Sequence, residues 1–114
     1  MPPRPIDLLQ GTLDLMILKA VSWHSMHGYA IARWIQQVTD DVLRVEEGSL
    51  YPALHRLEDK GLVAPSWGLS ENKRQAKFYA LTAEGRRTLR ADAASWLQYA
   101  AAITKVVTAT RQPA

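Results

Sequence analysis

Glu47-Gly48-Ser49-Leu50-Tyr51-Pro52-Ala53-Leu54-His55-Arg56-Leu57-Glu58-Asp59-Lys60-Gly61 is the stretch on which the fold turns. At about 100° per residue, Leu50, Ala53, Leu54 and Leu57 share one helical face. Tyr51, Pro52, His55, Arg56 and Asp59 share the opposite one. The spacing predicts a helix from Ser49 or Leu50 to Lys60. Ser49 reads as its N-cap, the hydroxyl accepting from a free backbone N–H. Pro52 then falls in the first turn, where its missing N–H costs nothing, and Gly61 supplies the left-handed stop. A helix that is apolar inside and carries donors outside suits the major groove of DNA, which admits one α-helix. Arg56 can pair two acceptors on guanine or a phosphate oxygen, and Tyr51 can offer its hydroxyl to a phosphate. Ser49 sits where helix N–H groups favour a phosphate. Glu58 and Asp59 oppose this reading, since acids repel phosphate, and an ordinary solvated face is the alternative.

Outward from this helix, the upstream chain reads as two more. Residues 10–23 carry Leu13, Met16, Ile17, Ala20 and Val21 at helical spacing. Leu9, Leu15 and Leu18 make that segment apolar on a second side, the mark of a helix buried on two faces. Ser25-Met26-His27-Gly28 breaks the pattern, and residues 29–38 resume it with Ile31, Ile35 and Val38 inside. Thr39-Asp40-Asp41 ends that helix with turn-forming side chains. Residues 42–46 alternate like a short strand.

Downstream, residues 62–68 are β-prone, and Pro65 confines them to an edge strand or a strand's end. Residues 70–75 form a polar turn holding Lys73 and Arg74, and residues 77–81 form a second strand that begins with Lys77. The pair is a β-hairpin with a basic tip, placed to touch flanking DNA backbone. Thr82 is a good N-cap for a last helix reaching Val107 or Thr108, with Gly85 where a capping box would have its acid. That helix is roughly 40 Å long, more than a core of this size can cover.

Helix, helix, helix, hairpin, helix is the winged helix-turn-helix plan: a mainly α chain with a small β-hairpin, of class α+β. Residues 1–81 form the expected DNA-binding domain and residues 82–114 a dimerisation helix and tail. Leu89, Ala93, Trp96, Ala100, Ile103 and Val107, spaced alternately by four and three, make a heptad seam for a second copy. Packing on the chain's own first helix is the alternative. Trp96 lies mid-seam, where paired indoles could form a flat slot for a planar ligand. Trp23, Trp34 and Trp67 are read as packing residues.

Composition narrows the choice of function. The chain has 114 residues, enough for one core, with 47% hydrophobic and 22% charged residues and a net charge of +3. The absence of cysteine removes disulfides, thiolate metal sites and cysteine nucleophiles, and fits a reducing cytoplasm. No signal-peptide core follows the proline-rich start and no apolar run could span a membrane, so a cytoplasmic protein is expected. His24 and His27, with no nearby carboxylate, make a poor metal site. With no phosphate loop and no nucleophile–base constellation, neither an enzyme nor a cofactor is expected. A winged-helix adaptor for other proteins, motivated by Glu46, Glu47, Glu58 and Asp59, is the second functional class.

Four blocks carry a resemblance: Gly11-Thr12-Leu13-Asp14, His27-Gly28-Tyr29-Ala30-Ile31, Glu47 through Glu58 with Gly61-Leu62-Val63, and Lys77-Phe78-Tyr79-Ala80-Leu81-Thr82-Ala83-Glu84-Gly85. Together, from about Leu9 to Val107, the chain resembles the PadR family of bacterial transcription regulators, in its subgroup with a single C-terminal helix. The resemblance implies a homodimer that binds operator DNA, often as a repressor, and that is in some members released by a small aromatic effector. It places DNA contacts on Tyr29, Ser49, Tyr51, Pro52, His55 and Arg56, and in the wing on Lys73, Arg74 and Lys77. By analogy with a multidrug-sensing branch, Leu15 and Lys19 would join Trp96 around an effector. The alanines at 93, 94, 100, 101 and 102 would let the helices approach closely enough to shut such a slot.

Overall fold

The computed structural model describes the backbone of residues 5–114 and the side chains of residues 11–114. The proline-rich start Met1-Pro2-Pro3-Arg4 and the Leu9 side chain lie outside the described residues. The elements run α1 (Pro5–Ala20), β1 (Met26–His27), α2 (Gly28–Val38), α3 (Glu47–Asp59), β2 (Val63–Leu69), β3 (Gln75–Leu81) and α4 (Ala83–Val107).

Helices α1, α2 and α3 enclose the core. Ile17 and Leu18 of α1, Ile31 and Ile35 of α2, and Leu50, Leu54 and Leu57 of α3 are almost wholly buried. Each such side chain contributes roughly 1.5–3 kcal/mol relative to exposure. Leu62, Val63 and Tyr79 extend the core under the sheet, and Leu89 ties in the first third of α4. The apolar face expected for α3 is therefore the buried one, and Tyr51, Pro52, His55 and Asp59 of its outer face are exposed.

The three antiparallel strands lie in the order β1-β3-β2. β2 is an edge strand, as Pro65 requires, with Pro65 opposite Tyr79. β1 occupies the segment read as a mere break: Met26 pairs with Tyr79 and His27 with Phe78. His27 has a second task. Its Nδ1 accepts from the Ala30 N–H at 3.3 Å, capping α2.

Several expectations change; α1 begins at Pro5 rather than at residue 10, and β3 at Gln75 rather than at 77. α1 closes at Ala20 rather than running to residue 23, and Ser22 Oγ donates to the Lys19 carbonyl to finish it. Residues 42–46 form no strand. Asp40 and Asp41 instead take successive left-handed conformations, with φ of 50° and 66°. The Leu43 N–H then folds back onto Thr39 Oγ1 at 3.1 Å. α3 starts at Glu47 with Glu46 as N-cap, so Ser49 is its third residue and its N–H bonds the Glu46 carbonyl. Pro52 lies inside the helix, where it has no N–H to give the Gly48 carbonyl four residues back.

The start of α4 is joined to the turn between α3 and β2. Thr82 N–H donates to the Leu62 carbonyl, its hydroxyl donates to the Gly61 carbonyl at 2.7 Å, and Thr82 Oγ1 in turn accepts from Gly85 N–H at 2.9 Å. Thr82→Ala is expected to cost about 1–2 kcal/mol, read as a lower urea midpoint, because it removes a cap and a cross-link together. From Ala101 onward every residue of α4 is exposed.

Candidate nucleic-acid interface

The outer face of α3 holds Ser49, Tyr51, Pro52 and His55, all exposed. Gly28, at the start of α2, sets the seat of Tyr51: a Cβ there would lie 3.2 Å from Tyr51 Cε1. The missing side chain lets the tyrosine ring lie against α2 while Tyr51 stays exposed. Beside it Tyr29 is 64% exposed, and its ring stacks parallel to that of His27 at 6.5 Å between centroids. Tyr29, Tyr51 and His55 thus join the N-terminal end of α2 to α3 as one surface.

Two of the expected contact residues spend their charge within the chain. The Arg56 guanidinium donates to Asp14 Oδ1 of α1 at 3.0 Å. Lys77 Nζ lies 2.9 Å from Glu58 Oε1. Hydrogen bonding to Glu58 raises the ammonium pKa above the ordinary lysine value, against the opposing effect of burial. Neighbouring Tyr79 is likewise raised, mainly by burial, so its phenol stays neutral. The Lys77–Glu58 pair also answers the objection that Glu58 would repel phosphate, because its carboxylate is already matched. Asp59 is exposed.

At the wing tip the turn is closed by Ser70 N–H to the Arg74 carbonyl and Lys73 N–H to the Ser70 carbonyl, both 2.8 Å. Lys73 adopts φ 58°, which turns the chain sharply there. Lys73 and Arg74 are exposed, and among the described residues neither forms an ion pair.

Along α4, Leu89 is buried and Ala93 and Ala100 are half-buried. Ile103 is 46% exposed and Val107 77% exposed. Trp96 Nε1 donates to Thr12 Oγ1 at 3.2 Å, so this part of α4 meets the chain's own first helix. Of the two residues grouped with Trp96, Leu15 packs half-buried against the core, and Lys19 Nζ sits 4.6 Å from the ring centroid of Trp23. The other tryptophans divide. Trp34 packs on the core, as expected. Trp23 is 63% exposed and meets Trp34 edge-on at 5.7 Å, while Trp67 on the wing is 69% exposed. The packing role assigned to Trp67 does not hold. A strand residue beyond the core's edge faces solvent whatever its hydrophobicity.

Among the described residues, no group of three or more His, Cys, Asp or Glu could hold a metal ion, and no helix is long and apolar enough to cross a membrane.

A helical pair, α2 and α3, followed by the hairpin β2–β3 defines a winged helix-turn-helix protein. The profile of the Transcriptional regulator PadR-like family matches residues 17–91. A transcriptional regulator from Clostridium thermocellum is 29% identical, with a TM-score of 0.79 over 90% of this chain and 99% of that one. A PadR family transcriptional regulator from Eggerthella lenta is 30% identical, with a TM-score of 0.70 over 92% of this chain and 89% of that one. An uncharacterized 37.1 kDa protein in a Streptomyces fradiae transposon is 44% identical over 82 residues, which are 72% of this chain but 22% of that protein. The chain belongs to the PadR-like family, and it is a transcriptional regulator rather than an enzyme.

Proposed function

We propose that this regulator binds operator duplex DNA as a homodimer, in the cytoplasm of a bacterium, and represses transcription there. The observation that carries the reading is the outward face of α3. Its inner residues are buried, Ser49, Tyr51 and His55 are exposed, and Lys73 and Arg74 at the wing tip are exposed and, among the described residues, form no ion pair. That combination offers base-edge and sugar contacts from the helix, and phosphate contacts from the wing. Arg56 enters the groove with its charge already shared with Asp14, so its role is as much to hold α3 against α1 as to meet DNA. Pro52 presents a flat apolar ring beside Tyr51, fit for a thymine methyl.

Dimerisation rests on the apolar side chains that α4 leaves uncovered, Leu97, Ile103, Val106 and Val107. Two copies joined there would present two reading helices to a two-fold symmetric site. A small aromatic effector is a further part of the proposal. It would compete for the indole of Trp96, which is 36% exposed and holds Thr12.

Duplexes selected from a random pool, titrated by fluorescence anisotropy at several salt concentrations, test the reading. Binding should weaken steeply with salt. Tyr51→Ala and His55→Ala should each lose roughly 1–3 kcal/mol of affinity for the selected site. Parent-like binding by both variants removes α3 from the groove, and a failure to select any duplex favours a protein-binding adaptor.

A further inference from the structure

A cleft of about 730 Å³ opens between α2 and the wing. Its floor is the front of the sheet. Trp67 of β2 and Gln75, Lys77 and Tyr79 of β3 line it, with Trp67 opposite Lys77 in the register. Its far wall is a stripe of α2 in which Tyr29, Arg33 and Gln37 recur every fourth residue. Tyr51 of α3 reaches the same cleft. The cleft is therefore continuous with the proposed reading face and not a separate feature.

Its lining has a definite character. Arg33 is exposed, lies 5.8 Å from the ring centroid of Tyr29, and among the described residues forms no ion pair. The N-terminal turn of α2, the positive end of that helix, borders the cleft through Gly28 and Tyr29. Glu71 is the one acid in the lining, and the unpaired Lys73 and Arg74 adjoin it on the wing turn. Opposite the cationic wall, Trp67 offers a large exposed aromatic surface. A cation facing an aromatic plane, a few residues from groove-facing side chains, suits one ligand above others. A sugar-phosphate strand presents a charged oxygen on one side and an apolar sugar face on the other.

We infer that this cleft clamps one backbone strand of the bound duplex, Arg33 meeting a phosphate and Trp67 lying against the neighbouring deoxyribose. This rests on the DNA-binding reading above and adds two residues that the face of α3 does not supply. The clamp is indifferent to sequence: it sets register and orientation while α3 reads bases.

Arg33→Ala, Trp67→Ala and Trp67→Phe, with Tyr51→Ala alongside, are titrated in the full-length protein against the selected duplex and a scrambled one. Circular dichroism should be unchanged, since both side chains are exposed. Arg33→Ala should weaken binding to both duplexes by a similar factor, about five- to tenfold, and reduce the slope of log K against log salt by about one. Ethylation of that one phosphate should weaken the parent by a similar factor and leave the affinity of Arg33→Ala little changed. Trp67→Ala should weaken binding several-fold and Trp67→Phe should restore most of it. Parent-like affinity and slope in Arg33→Ala and Trp67→Ala, with Tyr51→Ala impaired, would overturn the clamp and leave the DNA reading standing. A parent protein that binds no duplex overturns both.

Discussion

Gly85→Ala should destabilise the protein by about 3 kcal/mol, at the upper end of what overpacking costs. A Cβ at Gly85 would lie 2.1 Å from the Leu62 carbonyl oxygen and 2.7 Å from Leu81 Cδ1. The first of these contacts is with backbone and cannot be relieved by rotating a side chain. It is also the oxygen to which Thr82 N–H donates at 3.1 Å. The added methyl must push α4 away from the turn after α3 and break that bond. Urea denaturation at fixed protein concentration measures the loss. An unchanged midpoint would mean that α4 is not held at its start as described. Because Thr82 and Gly85 act on the same junction, the double variant should lose less than the sum of the two single losses.

Ile103→Glu combined with Val107→Glu should convert the proposed dimer to a monomer and reduce operator affinity by at least 100-fold. The estimate follows from avidity, since joining two half-site contacts commonly gains 10²–10⁴. Both side chains are well exposed in the protomer, so its helical content should be unchanged. Sedimentation and anisotropy on the same samples report the two effects. A dimer that persists would move the interface to another surface.

Local patterning carried much of this architecture. The buried side of α3, the edge position of β2 and the Thr82 cap each depend on neighbours within a few residues, and each follows from spacing or from a single residue type. Errors arose where a distant segment decides. Met26 and His27 are too short to show alternation, and they become a strand only because β3 passes beside them. Ser49 imitates an N-cap because Pro52 usually marks a first turn, yet the helix starts earlier, with Glu46 at the N-cap position and no side-chain cap bond. The outer face of α3 was legible as a face, but the pairing of Arg56 with Asp14 spans 42 residues of sequence. One arginine on a short helix, such as Arg33, carries no pattern in the sequence. Only the wing, folded opposite, gives it a partner surface.

The long exposed run of α4 has a consequence for how such a dimer would be tuned. A helix of 25 residues is roughly 37 Å long, so a tilt of about 5° at its root carries its far end about 3 Å. In the proposed dimer the partner grips that far end, while the root is fixed by Thr82 and Gly85. α4 would then work as a lever, with the Thr82–Gly85 junction as its fulcrum and the Trp96–Thr12 bond as a brace part-way along. A small event at the brace would be magnified into a change in the spacing of the two reading helices, the distance against which DNA's helical repeat is measured.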